Sequence, residues 1–143
     1  MNPREFQELA QRLVLIERPA ETRTAISRAY YSVYNFVVQM LKEIGFEVSE
    51  GPSGHGDAVQ KLSNCGSVRV QRVGSQLSVL RSKRIQADYR LDRRDVEISK
   101  TAQAIVIQAG KMIKELDECC TGPEREEIVK GIKDYLSKLP PRF

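Results

Sequence analysis

Apolar residues recur at helical spacing along most of this chain. Phe6, Leu9, Leu13 and Ile16 follow Pro3, which suits a first helical position, and predict a helix ending near Arg18-Pro19, because the residue before a proline disfavours helical backbone. A longer helix is predicted from Glu21-Thr22 to the stop at Gly45, with Ile26, Tyr30, Val33, Val37, Met40, Leu41 and Ile44 on its apolar face. Residues 45–56, rich in glycine, proline and serine, read as a surface loop. Ser53 or Asp57 could then cap a short helix through Ala58, Val59 and Leu62, which Asn64-Cys65-Gly66-Ser67 ends. The next stripe is Val70, Val73, Leu77, Leu80, Ala87 and Leu91. Gly74 lies inside it at a cost of about 1 kcal/mol relative to alanine, which suits close approach of another helix or a local bend. After a charged turn at Arg90–Asp95, Asp95 is expected to cap a long helix with Ile98, Ala102, Ile105, Ala109, Met112, Ile113 and Leu116 on one face. Thr121-Gly122-Pro123 closes that helix and opens the last one. Pro123 would be its first residue, Glu124, Glu126 and Glu127 would sit at the positive end of its dipole, and Ile128, Ile132, Tyr135, Leu136 and Leu139 form its stripe up to Pro140-Pro141. No stretch alternates with period two between hairpin turns. The expected fold is an all-α bundle in one domain spanning 1–143, with three long helices and shorter ones at the termini and after the loop.

Arg84 breaks this pattern. It falls in the middle of the Val70–Leu91 stripe, where an apolar residue is called for, and a buried cation needs a partner. Asp88, one turn on, and Tyr89 are the nearest groups able to interact with it. Either Arg84 is structural, snorkelling or paired with an acid, or it faces a crevice or partner subunit and holds an anion. Charge distribution bears on the choice. Residues 69–94 carry eight basic side chains (seven of them arginine) against two acidic ones, a local excess of +6 in a chain whose total is +4. Arginine suits bidentate contact with phosphate or carboxylate better than lysine does, although a charge run is also what a solvated helix face looks like.

Other signals narrow the possibilities. The apolar runs fall short of the ~20 residues needed to cross a bilayer, and Met1–Glu5 has no apolar signal core, so the expected location is the cytoplasm with no membrane partner. Cys65 stands alone and Cys119-Cys120 are adjacent, an odd number that argues against a disulfide framework. One histidine without a C-x-x-C leaves no structural zinc site, and neither metal nor cofactor is expected. Phosphate-binding and nucleophile-elbow motifs are absent. His55, between Gly54 and Gly56, reads as a loop or capping residue first and a proton carrier second. Tyr30, Tyr31 and Tyr34 cluster on the second helix near Arg23 and Arg28: Tyr30 on the apolar stripe, Tyr31 and Tyr34 on its flank, where their hydroxyls could reach a facing helix or a ligand. The chemistry left is centred on arginine.

Three features in order resemble the HEPN domain family over roughly residues 5–120, with 121–143 as a C-terminal helix. They are Arg28-Ala29-Tyr30-Tyr31-Ser32-Val33-Tyr34 on a long helix, a Gly/Ser loop carrying His55, and Leu77-x-x-Leu80-Arg81-x-x-Arg84-x-x-Ala87-Asp88-Tyr89 on a second long helix. The resemblance implies an up-and-down bundle of four to five helices that often dimerises, with the signature helices meeting at a cleft. Many such domains are metal-independent ribonucleases or toxins built on an arginine, a following polar residue and a histidine a few positions later. Here the arginine would be Arg84, Ile85 replaces the polar residue, and Tyr89 stands where the histidine is expected. A phenol, with an ordinary pKa of about 10, is a poor general base at neutral pH. The resemblance therefore implies a non-catalytic module that binds nucleotide or RNA phosphate through Arg81, Arg84, Asp88, Tyr89, Tyr31 and Tyr34. It would act as a homodimer and could partner a nucleotidyltransferase or a toxin–antitoxin component. The alternative is a metal-independent RNA endonuclease using Arg84, with Tyr89 or His55 handling protons.

Overall fold

Among the described residues six α-helices carry most of the chain, and proline stands at or within two residues of the start of four of them. The computed structural model describes residues 1–141. Its helices are α1 (Arg4–Leu13), α2 (Pro19–Glu43), α3 (Gly54–Ser63), α4 (Val68–Tyr89), α5 (Ser99–Thr121) and α6 (Arg125–Ser137), with 3-10 turns at Gly51–Ser53 and Asp95–Glu97. Among the described residues there is no strand. The fold is an all-α helical bundle with an additional short helix, α3.

Helix interiors follow the apolar periodicity, whereas several ends do not. Helix α2 starts at Pro19 itself, two residues before the expected start, because a first-turn position needs no N–H. Glu17 adopts a left-handed φ of 59° and turns the chain between α1 and α2. Helix α1 therefore stops at Leu13, leaves Ile16 exposed, and buries Gln7, Ala10 and Val14 in place of the Leu13–Ile16 end of its expected stripe. Neither Ser53 nor Asp57 caps α3: Ser53 makes no side-chain capping bond, and the Asp57 carboxylate is engaged elsewhere. Asp95 does not cap α5 either. It opens a 3-10 turn instead, so α5 begins at Ser99 and Ile98 is exposed in extended backbone. Leu91 lies past the end of α4 and is 74% exposed. Pro123 precedes α6 by two residues, and Leu139 lies beyond its last turn and is exposed.

The chain forms two compact units. The first comprises Met1–Phe36 and Gln76–Lys114. Its core contains Ile26, Val33, Leu77, Val96, Val106 and Met112. Within it, the buried Gln7 donates from Nε2 to the Val106 carbonyl (2.8 Å) and accepts from Ser32 Oγ (3.3 Å). Gly110 leaves room for that amide, since a Cβ there would lie 3.1 Å from Gln7 Nε2.

The dominant polar contact of this unit is Arg23 on α2. Its side chain is 9% exposed and its guanidinium closes the end of α4. Nη1 donates to the carbonyls of Gln86 (3.2 Å), Ala87 (3.0 Å) and Arg90 (3.2 Å); Nη2 donates to those of Leu91 (3.4 Å) and Arg93 (2.7 Å). Nε and Nη2 also donate to Glu97 Oε2 at 2.9 and 2.7 Å, which neutralises the charge. The last turn of any helix leaves carbonyls without intrahelical donors. Here the Gln86 carbonyl already accepts from Arg90 N (3.0 Å), and Arg23, from another helix, supplies a donor to Ala87 and to the turn that follows α4.

The second unit comprises Val37–Ser75 and the residues from Glu115 on, with Leu41, Leu62, Val70, Leu116, Ile128 and Ile132 in its core. Cys65, Cys119 and Cys120 are buried free thiols there, and burial pushes the last two up to about 11 and about 12. Two glycines permit close packing. A Cβ on Gly74 would meet Ser63 Oγ at 3.1 Å and Leu62 Cβ at 3.3 Å, so the close approach expected of Gly74 is what the structure contains. A Cβ on Gly131 would fall 1.8 Å from the Cys65 carbonyl oxygen. Asp57 accepts from Ser49 N (2.8 Å) and Ser49 Oγ (3.0 Å) and pairs with the buried Lys61, tying the preceding loop to α3.

Two stability changes are expected. Gly131→Ala improves helix propensity by roughly 1 kcal/mol, but the overlap with backbone forces α6 away from the Cys65 turn. The net loss in denaturant unfolding should be about 2 kcal/mol or more. Arg23→Ala removes the guanidinium from the Glu97 carboxylate and from the Ala87, Leu91 and Arg93 carbonyls, while those of Gln86 and Arg90 keep backbone donors, and should cost roughly 3 kcal/mol or more, with faster hydrogen exchange concentrated at residues 86–97.

Candidate functional site

The centre of the site is the residue that breaks the α4 stripe. Leu80 and Ala87, on either side of Arg84, are buried as the periodicity requires, which carries the Arg84 side chain inward until it is only 13% exposed. It meets aromatic rings from α2 and from its own helix. Its guanidinium carbon lies 5.3 Å from the Tyr30 ring centroid, 5.4 Å from Tyr31 and 5.8 Å from Tyr89. Contacts of this kind contribute about 0.5–2 kcal/mol each, more as water is excluded. Nη1 donates to Asp88 Oδ2 at the long distance of 3.5 Å, and the same oxygen accepts from Ser27 Oγ at 3.2 Å. Nε is buried with no acceptor.

Of the expected ligand residues, Arg84, Asp88, Tyr31 and Tyr89 therefore come together directly. Tyr34 joins through Tyr30, on which it stacks at 5.9 Å with the rings 9° apart, while Tyr30 meets Tyr31 edge-on at 5.1 Å. Tyr30 is core, and Tyr31 and Tyr34 are half-buried on its flank. The Arg28 guanidinium lies 4.9 Å from the ring centroids of both Tyr31 and Phe6. Arg81, one turn before Arg84, is half-buried and close enough to Tyr30 to favour its phenolate. All these residues belong to the first unit. His55 belongs to the second, half-buried in the opening turn of α3.

Burial pushes the Tyr30 phenol up to about 12, and the opposing fields of Arg84 and Arg81 recover only part of the shift. For Arg84, burial works against the cation, but Tyr31 and Asp88 outweigh it and its pKa lies above the ordinary arginine value. The result is a permanent cation among phenols, one of which is held protonated at any physiological pH. That arrangement can hold an anion. It contains no imidazole and so lacks a residue ordinarily poised to exchange a proton near neutrality. Among the described residues no group of three or more His, Cys, Asp or Glu is placed to hold a metal ion.

Sequence reasoning placed Arg23 near the tyrosines without giving it a task, and overlooked Ser27. Their signal was the spacing Arg23, Ser27, Tyr30, which puts three hydrogen-bonding side chains on one flank of α2 at i, i+4 and i+7. The end of α4 is what they reach.

Of the chain's five tyrosines, Tyr30 should ionise at about 12, against an ordinary value of 10.0. The folded state holds this proton more tightly than the unfolded chain. Its stabilisation is thus complete below pH 10.0 and is lost as pH rises towards about 12. Denaturant unfolding of wild type and Tyr30→Phe across that window should show a shallower alkaline loss in the variant, with the buried cysteines common to both. Comparison of the chain with protein-family models, curated proteins and solved structures returned no match.

Proposed function

We propose that the Arg84 face of the first unit is a non-catalytic binding surface for the phosphate of a nucleotide or of RNA. The observation that carries this reading is the Arg84 guanidinium itself, a cation held by aromatic ring faces and by one long hydrogen bond, 3.5 Å to Asp88. Ring faces do not consume N–H groups, and a charge-assisted bond to a phosphate oxygen is stronger than that long contact. The +6 excess of residues 69–94 supplies the long-range attraction, and Arg81 a second cation one turn away. Tyr89, 70% exposed beside the guanidinium, offers a ring on which a base can stack. The resemblance to HEPN domains supports the same assignment. It adds a homodimer, with a nucleotidyltransferase or toxin–antitoxin component as a further partner. Binding is favoured over RNA cleavage because the arginine is surrounded by phenols, and Tyr30 is fixed in its protonated form.

Titration of short single-stranded RNA and nucleotides into wild type and Arg84→Ala over a salt series tests this. Wild type should bind more weakly as salt rises, and the variant should lose roughly tenfold or more in affinity with a reduced salt slope. Equal affinity in the two proteins would refute the assignment. RNA cleavage in chelator that disappears in Arg84→Ala would establish the ribonuclease instead.

A further inference from the structure

The Tyr31 ring is shared by two arginines from different helices. Arg84 reaches it from α4, with its guanidinium carbon 5.4 Å from the ring centroid, and Arg28 reaches it along α2 at 4.9 Å. Arg28 also lies 4.9 Å from the centroid of Phe6 on α1, so two rings hold its guanidinium. Among the described residues it makes no hydrogen bond and no ion pair. Arg84 has only the 3.5 Å bond to Asp88. Two permanent cations thus converge on one phenol with a single long carboxylate contact, which leaves much of their mutual repulsion uncompensated. Arginines that link helices elsewhere are neutralised: Arg23 by Glu97, and Arg69 by three glutamates. The pair is also within reach of solvent. Thr24, Arg28, Tyr31 and Asn35 recur at i, i+4, i+7 and i+11 on one face of α2, and none of them is buried.

We infer that Arg28 and Arg84 form a clamp for two linked phosphates, one at each guanidinium. The inference rests on the phosphate-binding reading of Arg84 and adds to it the second charge of the ligand. The ligand class is then a chain of at least two phosphates, joined by an anhydride in a free nucleotide or by a ribose in a strand. Stacking on ring faces leaves the N–H edges of a guanidinium unspent, and a guanidinium fork matches phosphate oxygens. Rings on two helices also fix the direction of Arg28 in advance, which lowers the ordering cost of binding. A second phosphate relieves the repulsion that a single one leaves, so affinity rises with it.

Calorimetric titration of AMP, ADP, ApA and 5′-phosphorylated ApA into the full chain, in chelator and over a salt series, tests the clamp. Wild type should gain roughly tenfold in affinity from the second phosphate, in ADP over AMP or in 5′-phosphorylated ApA over ApA. The larger of the two gains names the source, free nucleotide for the first pair and strand for the second. In Arg28→Ala, and in Arg28→Gln, which keeps a long polar side chain against the rings, the gain should fall to within about twofold, with AMP and ApA binding unchanged. Lys133→Ala removes one exposed charge from the second unit and should keep the gain. The clamp is overturned if wild type gains nothing from the second phosphate, or if both Arg28 variants keep the gain. It is also overturned if they weaken AMP as much as ADP, which puts both arginines on one phosphate. Arg84→Ala separates the two readings. Wild-type binding of AMP and ApA in that variant removes the Arg84 assignment, whereas their loss, with a gain indifferent to Arg28, leaves that assignment and removes the clamp.

Discussion

The first unit depends on a single guanidinium. Helix α4 ends at the surface on one side, where Asp88, Tyr89 and Leu91 are exposed, while on the other its Ala87 carbonyl is buried and needs a donor. Arg23 resolves this from another helix, with every one of its nitrogens bonded and Glu97 balancing its charge. Buried ion pairs often contribute little net stability, because desolvation offsets the attraction. Here the geometric result matters more than the energy. The contact fixes where α4 stops, and with it the direction in which Arg84, Asp88 and Tyr89 face.

Two arginines of the same unit thus have opposite roles. Arg23 is saturated, with seven hydrogen bonds from three nitrogens. Arg84 has one long bond to Asp88 and is otherwise held by the faces of aromatic rings. Ring faces attract a cation without consuming its N–H groups, so Arg84 is positioned yet retains donors to offer. Asp88 is itself shared with Ser27, which draws the carboxylate towards α2 and weakens its hold on the guanidinium.

Helix interiors were legible in the sequence because burial and the 3.6-residue period are the same constraint. Ile26 to Ile44, Val70 to Ala87 and Ala102 to Leu116 are buried where the period puts them, apart from Arg84 and from Ile105, which is half-buried while Val106 beside it is in the core. Ends were less legible, and for a common reason: Asp57, Asp95 and the end of α4 look like local capping problems but are governed by partners distant in sequence or by turns outside the helix. Asp57 serves Ser49 and Lys61, and α4 is finished by a residue more than sixty positions away. The anomaly of Arg84 was visible on its stripe. Its surroundings were not, since periodicity states which residues share a face but not which faces meet. Gly131 carried no signal, because a helical glycine looks the same whether it faces solvent or a carbonyl oxygen.

Neither unit is a continuous piece of chain. Helices α2, α4 and α5 each begin in one unit and end in the other, so the chain crosses from unit to unit three times, once within each long helix. On a ribosome, the first unit has all its parts only after Lys114 has emerged, although nearly half of it is made at the outset. The part of α2 up to Phe36 carries the buried Arg23, which must wait for residues 86–97 before its guanidinium has partners. The Arg84 face is therefore among the later features of the chain to become complete, and no fragment ending before the third crossing would contain it in finished form.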